Sequence, residues 1–211
     1  MLKALLIFIK NPQLGKVKTR LAKTVGDVNA LKIYQYLLDH TMEITYELDT
    51  TDKFLYYNEF IPTRDEWPPS LYQKELQKGI DLNDKMLNAF TQVIEEESYS
   101  KAILISPDCY LLTDSMLDKA FKMLDTFDVV LGPSNDGGYY LIGMKKVHRE
   151  LFEEDEQGES TNHAKVMERI KGMGMKVFNM PVLTDVDTEE DLGKLNKMIK
   201  VEEKPSRRKQ Q

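Results

Sequence analysis

Two basic residues and four aspartates stand where the chain leaves apolar runs, which is where an α/β protein puts its chemistry. Lys18 and Arg20 lie in Lys10-Asn11-Pro12-Gln13-Leu14-Gly15-Lys16-Val17-Lys18-Thr19-Arg20-Leu21, directly after an apolar stretch. Backbone N–H groups at a helix start, with Gly15, Lys18, Thr19 and Arg20, suit a pyrophosphate. The segment is not a Walker A loop, because no glycine precedes Gly15 at the right distance and no Ser or Thr follows Lys16. A solvated loop entering a basic helix explains the same residues about as well.

The carboxylates carry similar alternatives. Asp108 follows Ser106-Pro107 at the end of an apolar run. A carboxylate there can hold Mg²⁺, which takes one or two carboxylates and fills its shell with phosphates and water, or it can serve a simple turn. Asp136 opens Asp136-Gly137-Gly138-Tyr139-Tyr140, a tight-turn signal that also lets a ligand come close to a backbone without side chains. Asp185 and Asp187 precede Thr188, where they could favour a helix dipole or add to a metal shell. His40, His148 and His163 show no metal-ligand spacing, and Cys109 lacks an evident activating base, so its expected role is packing.

The elements that must position these residues are set by periodicity. Apolar runs predict strands at Leu2–Ile9, Phe54–Tyr57, Ala102–Ile105, Asp128–Gly132, Tyr139–Met144 and Lys176–Asn179. Helical spacing covers Val28–Leu48, Leu82–Glu97, Leu112–Leu124 (Thr113 as N-cap) and Thr161–Met173, and Lys16–Lys23 can begin another. Thr188-Glu189-Glu190-Asp191 opens a final helix as a capping box with Asp in place of Glu. Strands alternating with helices predict an α/β fold with a mostly parallel sheet. The expectation is one domain over residues 1–200, then a polar, disordered tail over 201–211.

With 211 residues, 41% of them hydrophobic, the chain can bury a full core. Its net charge of −6 disfavours wrapping nucleic acid. One cysteine makes no intramolecular disulfide and no Cys-rich zinc site. The N-terminal apolar run is too short to span a membrane, so a soluble cytoplasmic protein is expected.

The motif order Phe8-Ile9-Lys10-x-Pro12-x-x-Gly15-x-Val17-Lys18-Thr19-Arg20-Leu21, Asp108-Cys109, Gly132-Pro133-x-x-Asp136-Gly137-Gly138-Tyr139-Tyr140-Leu141-Ile142-Gly143 and Asp185-Val186-Asp187-Thr188-x-x-Asp191-Leu192 resembles the radical-SAM/selenodomain-associated transferase family over residues 1–200. The resemblance implies a GT-A, nucleotide-diphospho-sugar transferase-like fold with helices on both faces of the sheet. It also implies a wider kinship with molybdenum-cofactor and 2-phospholactate guanylyltransferases. Ser106-Pro107, Tyr110, Asn83, Lys85 and Glu159-Ser160-Thr161 depart from that family's usual residues.

The implied activity is metal-dependent transfer. Lys18 and Arg20 neutralise phosphates, and Asp108 is a catalytic residue carrying Mg²⁺ or Mn²⁺ with Asp185 or Asp187. Asp136, with Gly137, Gly138 and Tyr139, lines the acceptor or sugar side. The first expectation is a glycosyltransferase using a nucleoside-diphosphate sugar and a small-molecule acceptor. The alternative is a nucleotidyltransferase joining an NTP to a small phosphorylated or carboxylated acceptor, and the third is a non-catalytic nucleotide-binding protein. Lys18 is expected to govern nucleotide affinity and not the stability of the fold.

Overall fold

The computed structural model describes residues 2–153, 163–193 and 196. Seven strands form one sheet: β1 (Lys3–Ile9), β2 (Asp52–Tyr57), β3 (Tyr72–Leu76), β4 (Lys101–Ile105), β5 (Val129–Pro133), β6 (Tyr139–Met144) and β7 (Val177–Asn179). The order is β3-β2-β1-β4-β6-β5-β7. Every pairing is parallel except those of β6, which runs antiparallel to both β4 and β5. The sheet is therefore mostly parallel and mixed.

Period-two alternation divides the side chains between two cores. Leu5, Ile7 and Ile9 of β1 pack with Tyr34, Leu38 and Phe121. These come from α2 (Asp27–Tyr46) and α4 (Asp114–Met123). Ala4, Leu6 and Phe8 pack on the opposite side with Phe90, Val166 and Ile170, from α3 (Leu82–Phe90) and α5 (His163–Gly172). Burial on both faces explains why β1 and β4 read as unbroken apolar runs. The short α1 (Thr19–Val25) leads into α2 through Gly26.

The expected Thr113 cap is present, its hydroxyl accepting from the Met116 N–H at 3.3 Å. Three local features differ from expectation. β3 was not expected, because Tyr-Gln-Lys-Glu-Leu is an edge strand with one buried residue, Tyr72. The run expected to be helical to Glu97 changes to a π-helix over Thr91–Glu96. The Thr188 box is half made: Asp191 Oδ2 accepts from the Asp187 and Thr188 N–H groups at 3.1 and 2.7 Å. The described start of the expected helix is a 3₁₀ turn, Glu190–Leu192, and Asn196 is helical; its other residues after Gly193 lie outside the described ones. The tail 201–211 and Glu159-Ser160-Thr161 lie outside the described residues.

Gly132 closes β5 against the ring of Tyr140, where an added Cβ would sit 2.5 Å from the ring. Tyr140 cannot retreat freely, because it is buried and its hydroxyl donates to the Pro181 carbonyl at 3.0 Å. Gly132→Ala is expected to lower stability by about 1–3 kcal/mol, read as a lower urea midpoint with an unchanged slope.

Candidate active site

The carboxyl ends of β1, β4 and β5 open on the same side, and the loops leaving them carry the candidate residues. After β1, Val17 and Leu21 are buried and anchor the chain. Between them Lys18 takes a left-handed backbone conformation, φ 48° and ψ 45°, which a non-glycine residue adopts only at a cost. Its ammonium is tied down inside the site: Lys18 Nζ lies 2.6 Å from Asp108 Oδ1 and 3.5 Å from Asp187 Oδ1, and the side chain is 6% exposed. Arg20 Nη2 reaches Asp187 Oδ2 at 2.6 Å from a largely exposed side chain. Tyr34 fixes the start of this loop, its hydroxyl accepting from the Lys10 N–H and donating to the Lys10 carbonyl.

Backbone bonds bring the other segments alongside. The Asp108 carbonyl accepts from the Val186 N–H at 2.9 Å, which places Asp185 and Asp187 beside the end of β4. Ser134 forms a parallel bridge with Leu183. Asp136 Oδ1 accepts from the Ser134 hydroxyl and from the Gly138 N–H. Burial opposes charge on Asp136, but Ser134, the backbone N–H groups and nearby Arg20 outweigh it and hold its pKa below the usual carboxylate value. Asp185 behaves oppositely. Burial first, then the charges of Asp108 and Asp136, push its pKa up to about 7 against the pull of Lys18. Its Oδ1 is buried without a hydrogen-bond partner among the described residues.

That shift has a sign that can be measured. The folded state holds a proton on Asp185 that an unfolded aspartate has released above about pH 4. Stability therefore falls as pH rises between about 4 and the folded value of about 7. Asp185→Asn removes the charge, so the metal-free variant is expected to melt higher than the parent at pH 8 and to show no such gain at pH 4. Melting curves at the two pH values check this.

Two connected hollows meet at this cluster. A cleft of about 500 Å³ carries Lys10, Lys18, Thr19, Arg20, Asn58, Gln77 and Lys85. A chamber of about 220 Å³ carries Met86, Leu104, Asp136, Gly138, Tyr139 and Asp185. Asp108 and Asp187 border both. The candidates Lys18, Thr19, Arg20, Asp108, Asp136, Gly138, Tyr139, Asp185 and Asp187 thus converge. Gly15 and Gly137 line neither hollow; with φ of 75° and 91° they make the turns that bring their neighbours in. Asn58, Gln77 and Lys85 carry no sequence signal that gave them a role. Gln77 Nε2 donates to the carbonyls of Ile9 and Tyr56, both at 3.0 Å, which fixes its amide at the floor of the cleft. Cys109 is buried and its thiol is pushed up to about 12, so it packs, as expected.

The profile of one family, described as "Uncharacterized protein conserved in bacteria (DUF2064)", matches residues 42–159. The chain belongs to that family. Among proteins similar to this DUF2064 member is a 2-phospho-L-lactate guanylyltransferase of Methanocaldococcus vulcanius. It is 25% identical over 196 residues, 90% of this chain and 84% of the relative. A crystal structure from Desulfovibrio desulfuricans G20, provisionally named a nucleotide-diphospho-sugar transferase, is 28% identical with a TM-score of 0.81, covering 95% and 89% of the two chains. A 4-diphosphocytidyl-2C-methyl-D-erythritol synthase of Anaerococcus prevotii shares the fold, with a TM-score of 0.58 at 9% identity over 93% and 95% of the chains.

The expected GT-A, nucleotide-diphospho-sugar transferase-like fold is the one observed. The resemblance to radical-SAM/selenodomain-associated transferases is corrected: the matching profile is DUF2064, and the similar proteins are the guanylyltransferase and the transferase just described. The radical-SAM chemistry in that family's name has no basis in this chain, since its one cysteine cannot supply the thiolates of an iron–sulfur cluster. No helix among the described residues is long and apolar enough to cross a membrane.

Proposed function

We propose that this chain is a nucleotidyltransferase, joining the nucleotidyl group of a nucleoside triphosphate to a small acceptor with release of pyrophosphate. The observation that carries the reading is the Lys18–Asp108–Asp187–Arg20 network on the border between a nucleotide-sized cleft and a smaller chamber. Lys18 and Arg20 meet the phosphates at that border, so the α-phosphorus faces the chamber. An acceptor oxygen attacks it there, and the bond to the β-phosphate oxygen breaks. Gln77, Asn58 and Lys85 line the part of the cleft left for the base and ribose. Similarity to a guanylyltransferase across most of both chains supports this over the sugar transfer expected first.

A divalent cation fits the donor set. Asp185 Oδ1 is a buried acceptor with no partner among the described residues, and every candidate donor is oxygen. Among the described residues no three such side chains are grouped closely enough to hold a metal ion as they stand, and the Lys18 ammonium lies between Asp108 and Asp187. Convergence of three is not required, since Mg²⁺ takes one or two carboxylates and completes its shell with phosphate oxygens and water. Asp108 and Asp187, with Asp185 beside them, would hold Mg²⁺ or Mn²⁺, which supplies charge to offset that building on the leaving diphosphate.

Incubation with a panel of NTPs and nucleoside-diphosphate sugars plus Mn²⁺ tests the reading. Pyrophosphate release from an NTP supports it. Nucleoside diphosphate released from a sugar donor returns the glycosyltransferase reading, which the Desulfovibrio structure favours by its name. Nucleotide binding with neither release leaves a non-catalytic nucleotide-binding protein.

A further inference from the structure

The acceptor's own charge can be read from the wall of the smaller chamber. Asp108, Asp136, Asp185 and Asp187 all border it, and no Lys, Arg or His does among the described residues. Two cations of the adjoining cleft are already engaged with carboxylates of this wall, Lys18 with Asp108 and Arg20 with Asp187. The remaining wall is apolar, with Phe8, Met86, Leu104 and Tyr139.

Asp108, Asp136 and Asp187 against Lys18 and Arg20 leave a net charge of about −1 while Asp185 holds its proton, and about −2 once it ionises, which one divalent cation offsets before any nucleotide brings in its own phosphates. A second anion in this chamber would face its carboxylates at short range, where the dielectric is well below that of water, with Lys18 and the divalent cation already shared with the nucleotide's phosphates. Recognition of a phosphate or carboxylate normally needs an arginine fork, a lysine or a set of free N–H groups. The chamber instead offers acceptor oxygens, which suit hydroxyl donors, and aromatic and aliphatic surface, which suits a hydrocarbon body.

We propose that the acceptor is an uncharged or cationic molecule presenting a hydroxyl from an apolar body, and not a phosphorylated or carboxylated one. This rests on the nucleotidyltransferase reading and narrows it against the acceptor class first expected for that activity. The acceptor hydroxyl oxygen forms the new bond to the α-phosphorus as the bond to the β-phosphate oxygen breaks. Pyrophosphate leaves with that electron pair, and the hydroxyl proton passes to a chamber carboxylate. Asp136 is placed for this: Ser134 and Gly138 both bond its Oδ1 and hold the group in one orientation.

The test uses the full chain with Mg²⁺ and matched acceptor probes that share a carbon skeleton: 1,2-propanediol, L-lactate and 2-phospho-L-lactate, and likewise glycerol and glycerol 3-phosphate. Binding is read by saturation-transfer NMR on protein loaded with a non-hydrolysable NTP analogue, and turnover by acceptor-dependent pyrophosphate release. The expected result is at least about a tenfold preference for the uncharged member of each set in both readings. Asp136→Asn, which removes one chamber charge, should narrow the preference seen in binding several-fold. Equal or stronger binding of 2-phospho-L-lactate, or no signal from any uncharged probe, overturns the proposal. Those outcomes leave the nucleotidyltransferase reading intact as long as the NTP analogue binds; failure of the analogue to bind overturns that reading itself.

Discussion

Asp108→Asn is expected to leave a folded protein whose turnover is slower by on the order of 10²-fold or more. The substitution preserves volume, and the backbone carbonyl that receives the Val186 N–H is untouched. The substitution removes the negative charge that orders Lys18 at 2.6 Å and that would hold a cation on the border of both hollows. Asp108 lies just beyond the end of β4, whose five residues are all buried, so its backbone is held in place. Asp187→Asn should cost less, about tenfold, because Asp187 also serves to hold the exposed Arg20. Single-turnover pyrophosphate release under saturating NTP separates the two. A loss at Asp108 smaller than that at Asp187 would reverse their ranking.

Lys18→Met is expected to weaken nucleotide binding about 10- to 100-fold, equivalent to about 1–3 kcal/mol for a charge-assisted contact. From its place in a glycine-containing loop after the first strand, Lys18 was expected to govern nucleotide affinity and to leave the stability of the ligand-free protein nearly unchanged. Its side chain is instead almost fully enclosed between Asp108 and Asp187. Removing it leaves two carboxylates facing each other beside Asp185, at a cost of about 1–2 kcal/mol, moderated because both are about a third open to solvent. The same loss clears the place where a divalent cation would sit. The variant should therefore bind Mn²⁺ in the absence of nucleotide more tightly than the parent, and Mn²⁺ should restore its melting temperature. Titration monitored by the electron paramagnetic resonance of free Mn²⁺ checks this. Unchanged Mn²⁺ affinity and unchanged stability together would mean that Lys18 does not fill that place.

The strands under the site were readable because burial on both faces demands continuous apolar runs, as in Leu5-Leu6-Ile7-Phe8-Ile9 and Ala102-Ile103-Leu104-Ile105. β3 was not, because an edge strand with one buried residue has no such signature. Neither was the direction of β6, which depends on a hairpin instead of a crossover, although Asp136-Gly137-Gly138 marked the turn. Lys18, Arg20, Asp108 and Asp136 were singled out as candidates because motif positions at strand ends coincide with the ligand side of an α/β sheet. The contact between Lys18 and Asp108 could not be read, since it depends on strand order. Asp185 and Asp187 looked alike in sequence, yet one is buried with an unpartnered oxygen and the other is held by Arg20. Gln77 and Asn58 were missed because polar residues after β2 and β3 read as ordinary loop composition.

The pairing of β1 with β4 joins the part of the chain before Ser100 to the part after it, matching Lys3 with Lys101. Contacts so distant in sequence form only after a large loss of loop entropy. The charged network crosses the same seam, since Lys18 and Asp187 lie 169 residues apart. A nucleotide spanning it would act as a clasp on the two parts, adding about 2.7 kcal/mol at a hundredfold excess over its dissociation constant. A chain cut between Glu97 and Ser100, in the turn before β4, would then reassemble from its two fragments in a nucleotide-dependent way.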